Sequence, residues 1–226
     1  MPRSFTDEAI VLKAHNVGET DRFLVLLTRR HGRMTARVAG ARRLQSRRGR
    51  GLLPLHKISC TWEEHSFGCS VTAAECLSAH DHVWRDPHAF SAASQGIELV
   101  LKVTEDGYPL PEIFALTDDF LSACDAGRPT SVSLLYTLKL LDQLGYLPSA
   151  STAPAHLSRE LFRVIDDVRT MPFASAPTLA HLEDELAAFV SSLLGSQLGV
   201  TLKSLPVSLA LSSAVTPTCH VSGRAS

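Results

Sequence analysis

Nine arginines (Arg29, Arg30, Arg33, Arg37, Arg42, Arg43, Arg47, Arg48 and Arg50) fall within 22 consecutive residues that contain no Asp or Glu. The last five crowd into nine positions of the stretch "GARRLQSRRGRGLL". Arginine stays charged at physiological pH and carries a planar fork of N–H donors that matches phosphate oxygens, so the chemistry this pattern supports is anion binding. A solvated basic loop is the plain alternative, since charge runs often do nothing more. Against it, Arg33 and Arg37 alternate with Met34, Ala36 and Val38 in "RMTARVA". In a strand that period sends the apolar residues to the core and the two arginines to the opposite face, beside the loop. The candidate DNA-binding set is therefore Arg29, Arg33, Arg37, Arg42, Arg43, Arg47, Arg48 and Arg50. Phe23, Trp62 and Phe67 are the nearby aromatic surfaces, and each reads better as core than as a stacking platform. Binding led by the phosphate backbone and poor at reading sequence is the expectation.

The net charge of -1 hides an imbalance. Residues 1–60 hold 13 Lys/Arg against 4 Asp/Glu, whereas residues 61–226 hold 9 against 19. A basic segment tied to an acidic one places an electrostatic footprint at one end, and nucleic acid is its commonest match. The acidic remainder disfavours DNA wrapping there.

Other chemistry is thinly represented. "ECLSAHDH" (75–82), with Cys60 and Cys69 upstream, has metal-ligand residue types, but Cys60, Cys69 and Cys76 are too far apart for a zinc knuckle. His80 beside Asp81 resembles a metal phosphohydrolase pair without identifiable further ligands. There is no P-loop and no Gly-x-Ser-x-Gly elbow, and the acidic runs at 118–119, 166–167 and 183–185 sit in helical patterns where solvated charge is the default. An enzyme is not expected, nor any cofactor or metal. Five cysteines without framework spacing, and no apolar run near the ~18 residues of a membrane span, point to a reducing cytoplasm and no membrane.

The elements that must position the arginines are short strands: "EAIVLKAH" (8–15), "RFLVLLT" (22–28), "RMTARVA" (33–39), "LLPLHKISCTW" (52–62) and "FGCSVTAAECLS" (67–78), with turns at Asn16, Gly18, His31 and Gly32. Five strands in about eighty residues suit a closed barrel of the OB type, which commonly binds oligonucleotides; an SH3-like barrel accommodates the same count. From residue 81 the pattern turns helical. Asp86 with Pro87 reads as a helix start, Ile113, Leu116, Phe120, Leu121 and Cys124 form one stripe, and Gly145 suits a helix end. About five helices forming a bundle are expected over 81–211, and a disordered tail over 212–226.

The series "GETDR" (18–22), Thr28, Gly32, "GARR" (40–43), Ser46 and "LLP" (52–54) resembles the N-terminal domain of the bacterial RecO recombination mediator family. A second stretch, "LKLLDQLGYLP" (138–148), resembles a helix of that family's C-terminal domain. Many members carry a four-cysteine zinc module just after the Gly-Tyr turn, whereas this chain has no cysteine between Cys124 and Cys219.

The expected class is thus α+β: an OB-fold DNA-binding domain over 1–80 followed by an α-helical domain over 81–211. The resemblance implies a DNA repair and recombination mediator that binds single-stranded and partly duplex DNA, anneals strands and assists recombinase loading. It also implies a RecR-like partner, single-stranded DNA-binding protein and a cytoplasmic, nucleoid-associated location. A basic OB-fold RNA-binding protein and, behind it, a metal-dependent phosphohydrolase are the alternatives.

Overall fold

The computed structural model describes residues 3–42, 52–66, 68–127, 129–147, 158–168, 170–173 and 183–195. Arg43, Arg47, Arg48 and Arg50, together with Phe67 and the expected tail over 212–226, lie outside the described residues.

Five strands open the chain: β1 Arg3–Val17, β2 Asp21–Thr28, β3 Gly32–Val38, β4 Lys57–His65 and β5 Gly68–Ser78. They close in the order β1-β2-β3-β5-β4. Closure depends on the length of β1, whose first half pairs with β4 and whose second half pairs with β2. A register shift between Val11 and Lys13 marks where it bends from one partner to the other. The barrel is completed by a short parallel ladder between β3 and β5.

The fourth strand begins five residues later than the sequence pattern suggests, at Lys57 rather than Leu52. Pro54 has no N–H to give a ladder, and Leu55 takes a left-handed φ of 70°. The segment is instead pinned to the bend in β1, where Leu55 N–H donates to the Val11 carbonyl (2.9 Å) and Val11 N–H donates to the His56 carbonyl (2.9 Å).

Six helices follow among the described residues: α1 Asp81–Arg85, α2 Pro87–Val103, α3 Pro111–Asp125, α4 Pro129–Gln143, α5 Arg159–Asp167 and α6 Glu183–Leu193. The Asp86 side chain accepts from His88 N–H and Pro87 occupies the first turn, as the sequence suggests. Ile113, Leu116, Phe120, Leu121 and Cys124 are buried on one side of α3. At the end of α4, Gly145 (φ 76°) donates to the Asp142 carbonyl and Tyr146 N–H donates to the Leu141 carbonyl, the paired bonds of a Schellman cap. Gly96 lets α2 and α3 approach closely, because a Cβ there would lie 2.3 Å from the Phe120 ring. That ring stacks on Tyr136 of α4 at 4.0 Å between centroids.

The two parts of the chain share apolar packing. Ala9, Val11, Leu24 and Leu26 point into the barrel, with Trp62, Ile58 and Val38. Their alternates Ile10, Leu12 and Leu27 point out of it and join Val83, Leu99, Phe114 and Leu121 in the helical core. Polar contacts fasten the same junction. The Arg33 guanidinium pairs with Asp106 and donates to the Leu101 carbonyl (2.7 Å). Lys57 pairs with Asp118 (2.6 Å) and Glu8 (3.2 Å). Burial pulls the Lys57 pKa down, but hydrogen bonds and charge from the two carboxylates outweigh it and leave the ammonium above its ordinary value.

Gly32 is the tightest point of this junction, with φ 73° and space for its missing Cβ only 2.0 Å from the Tyr108 carbonyl oxygen. Gly32→Ala should therefore cost more than about 2 kcal/mol, combining left-handed strain with displacement of the Tyr108 backbone. Gly18→Ala is the control, since Gly18 has a similar φ of 59° but open space around it. Urea unfolding checks the pair, and equal midpoint shifts for the two variants would show that the Gly32–Tyr108 approach adds nothing.

Candidate nucleic-acid interface

The barrel divides the described arginines between its two ends. Arg29 and Arg30 form the β2–β3 turn, while Arg22, Arg37 and Arg42 gather at the opposite end of the same strands. Seven residues of near-extended chain from Arg22 to Arg29 set the separation at roughly 20 Å. The described arginines, close in sequence, thus do not form one patch.

At the turn end, acids take up the charge. Asp7, 5% exposed, accepts from Arg30 N–H (2.8 Å) and Arg30 Nε (3.1 Å) and lies 3.0 Å from His31 Nδ1. Arg29 pairs with Glu8 at 3.5 Å. Arg33 does project from the outer face, as the alternation requires, but its side chain is committed to Asp106 and Leu101 and is only 19% exposed.

The other end is organised by Asp21. One carboxylate oxygen accepts from Gly40 N–H (3.0 Å) and Thr20 Oγ1 (3.0 Å), and the other from Arg37 Nε (2.8 Å) and Nη2. The Gly40 amide first, then Arg37 and Thr20, lower the Asp21 pKa to about 2. This carboxylate fastens the β1–β2 turn to the exit of β3. Beside it, Arg42 N–H donates to the Thr20 carbonyl (3.0 Å), and Arg42 Nη1 donates to the Gly18 carbonyl (2.8 Å). Arg22 donates to Asn16 Oδ1 (3.1 Å) and to the Leu52 carbonyl (3.2 Å), tying the C-terminal flank of the arginine-rich loop to β1 and β2.

Sequence reasoning passed over Lys13 and His15 and read Phe23 as core. Lys13 and His15 are exposed on β1, and Phe23 is half-buried on β2. Register places His15 opposite Phe23 and Phe23 opposite Arg37, a row across three strands. The available signal was the alternation of Lys13 and His15 with Ala14, which packs against the barrel core.

The metal-site alternative finds no assembled ligands. His80 Nδ1 donates to the Leu55 carbonyl (2.7 Å), His82 Nε2 faces Asp86 (3.8 Å), and Cys60 is buried in the barrel with its thiol pushed up to about 12 by burial. Among the described residues no group of three or more His, Cys, Asp or Glu side chains is arranged to hold a metal ion.

Comparison with known families assigns both parts of the chain. Residues 1–79 match the model described as "Recombination protein O N terminal", and residues 85–155 match "Recombination protein O C terminal". The chain belongs to the recombination protein O family. Within it, the DNA repair protein RecO of Myxococcus xanthus (strain DK1622) is 32% identical over 146 residues, covering 64% of this chain and 60% of that protein. The RecO of Desulfitobacterium hafniense (strain DSM 10664 / DCB-2) is 32% identical over 141 residues, covering 62% and 52%. The RecO of Nocardioides sp. (strain ATCC BAA-499 / JS614) is 35% identical over 149 residues, covering 64% and 61%. The chain thus spans between half and two thirds of the length of the curated relatives it matches. The family matches meet at residues 80–84, where β5 gives way to α1. Among the described residues no helix is long and apolar enough to cross a membrane.

The lowered Asp21 pKa has a defined pH consequence. A carboxylate whose folded pKa lies below its ordinary 3.8 stabilises the fold fully above that value, and the contribution is lost as pH falls through the folded value of about 2. Asp21→Asn should therefore be less stable than the unsubstituted protein at pH 7, with the gap narrowing only below about pH 4. Urea midpoints of both proteins between pH 7 and pH 3 check this; a gap that closes already between pH 7 and 5 would assign the effect to another group.

Proposed function

We propose that this chain is a recombination and repair mediator that grips single-stranded and partly duplex DNA through an OB-type barrel formed by residues 1–80. The helical domain from residue 81 presents an acidic surface to protein partners. The observation that carries the reading is the placement of Arg37 and Arg42 at one open end of the barrel, with Arg43, Arg47, Arg48 and Arg50 following directly in the sequence and no acid among them. The strand order β1-β2-β3-β5-β4 supports the OB assignment over an SH3-like barrel. Family membership supports the process. Of the eight arginines in the sequence-derived set, Arg37, Arg42, Arg43, Arg47, Arg48 and Arg50 remain phosphate contacts in this reading. Arg33 acts at the junction with the helices, and Arg29 sits at the far end with Glu8.

A cationic grip of this kind lowers repulsion between strands and makes or breaks no bond in the DNA. In this reading the protein works in the cytoplasm at the nucleoid, with a RecR-like partner and single-stranded DNA-binding protein, assisting annealing and the loading of the recombinase.

The five-fold variant of Arg42, Arg43, Arg47, Arg48 and Arg50 to Ala tests the grip. Counterion release contributes about 0.7 per phosphate on single strands, so with one phosphate per arginine the slope of log affinity against log salt should shrink by about 3.5. The loss should be the same for three unrelated oligonucleotides. An unchanged slope reduces the cluster to a solvated loop, and a loss confined to one sequence replaces backbone gripping with base readout. An RNA competitor of matched length at fixed salt separates the DNA reading from an RNA-binding one.

A further inference from the structure

We propose that Phe23 is a base-stacking contact for single-stranded nucleic acid, set on the open half of the barrel's outer face between His15 and Arg37. The proposal rests on the nucleic-acid-binding reading above and adds a contact that charge alone does not supply.

The outward residues of β2 are Phe23, Val25 and Leu27, because Leu24 and Leu26 lie in the barrel core. The helices treat these three differently. Leu27 is fully buried in the helical core and Val25 packs against it, whereas Phe23 belongs to neither core cluster and remains half-buried. An aromatic ring left partly in water at the point where the helical cover ends has its apolar area still to bury.

Its neighbours suit a polyanion with unpaired bases. His15 and Arg37 stand in register with Phe23 on the two flanking strands, one strand spacing of about 4.8 Å to either side. Lys13 is in register with Val25, next along the same face. On this face Lys13 and Arg37 are the cations in register with β2, Asp21 is the acid that pairs with Arg37, and the row continues from Arg37 through Ser70 to Glu63. Asp21 engages Nε and Nη2 of Arg37 and so fixes the guanidinium, leaving Nη1 for a phosphate. Of the other aromatics that the sequence offered for stacking, Trp62 is 1% exposed and lies inside the barrel. A ring among oriented cations is the arrangement that holds single strands without reading their sequence.

Stacking predicts that bases matter even though their identity does not. The test is binding of a fluorescent oligothymidine at fixed salt, a same-length abasic strand and a duplex. Phe23→Ala should lose about tenfold in affinity for the oligothymidine, within the ~5- to 150-fold range of one base–aromatic stack, with its salt slope unchanged. Phe23→Tyr and Phe23→Trp should retain affinity, duplex binding should be untouched, and the unsubstituted protein should bind the abasic strand about as weakly as Phe23→Ala binds oligothymidine. Phe90→Ala, removing an α2 ring that is 41% exposed, is the control. Oligothymidine binding by Phe23→Ala at full strength, or equal binding of abasic and normal strands by the unsubstituted protein, overturns the proposal while leaving the arginine grip standing. If Phe23→Ala does not fold, the abasic comparison decides alone. Absence of binding to every strand sinks both readings.

Discussion

The structure depends on two strands being buried on both faces over part of their length. Around residues 9–12, β1 sends alternate side chains into two different cores, Ala9 and Val11 into the barrel and Ile10 and Leu12 under the helices. Leu26 and Leu27 of β2 do the same. Strands buried on both faces carry continuous apolar runs, and because their alternate side chains belong to two different cores they fix the helices against the barrel. The polar contacts of Arg33, Lys57 and His80 then sit at the rim of that apolar contact, where partial burial makes well-paired charges hold geometry rather than add much stability. The same burial decides which part of the outer sheet face is left for anything else: the end bearing Phe23, His15 and Arg37.

Charge is distributed by local acids rather than by proximity in sequence. Asp7 and Glu8 occupy Arg29, Arg30 and His31 at one end of the barrel, and Asp106 occupies Arg33 at the junction. Asp21 differs, because it holds Arg37 at the surface, where that side chain remains 53% exposed, and at the same time fixes the turn beside Arg42. A carboxylate that orients a guanidinium while leaving donors outward prepares a phosphate contact at little conformational cost.

Much of this was legible in the sequence where residue types alternate cleanly. The run from Arg33 to Val38 reads directly as a strand with one polar face, and the Asp86-Pro87 start and Gly145 stop of the helices are local signals whose meaning does not depend on the fold. The start of β4 was set too early because apolar residues at 52–55 look like strand, while Pro54 and the left-handed Leu55 turn them into a clamp on the bend of β1. The division of the arginines was not legible at all. It follows from the β2–β3 hairpin, which carries residues 29–33 to one end and returns Arg37 to the other, and from acids distant in sequence. Phe23 was read as core for a related reason: in "FLVLL" (23–27) every position is apolar, so nothing local tells the covered face from the open one.

The central claim is that nucleic acid lies across the open half of the barrel's outer face, and amide hydrogen exchange of the full chain with and without an oligothymidine at low salt tests it most directly. The account predicts slowed exchange in the second half of β1 beyond Lys13, in the β1–β2 turn and at the end of β3 about Arg37, with the Arg29–Arg30 turn and helices α2 to α4 unchanged. Protection concentrated on the Arg29–Arg30 turn or on the helices, with the row of His15, Phe23 and Arg37 unaffected, would contradict it.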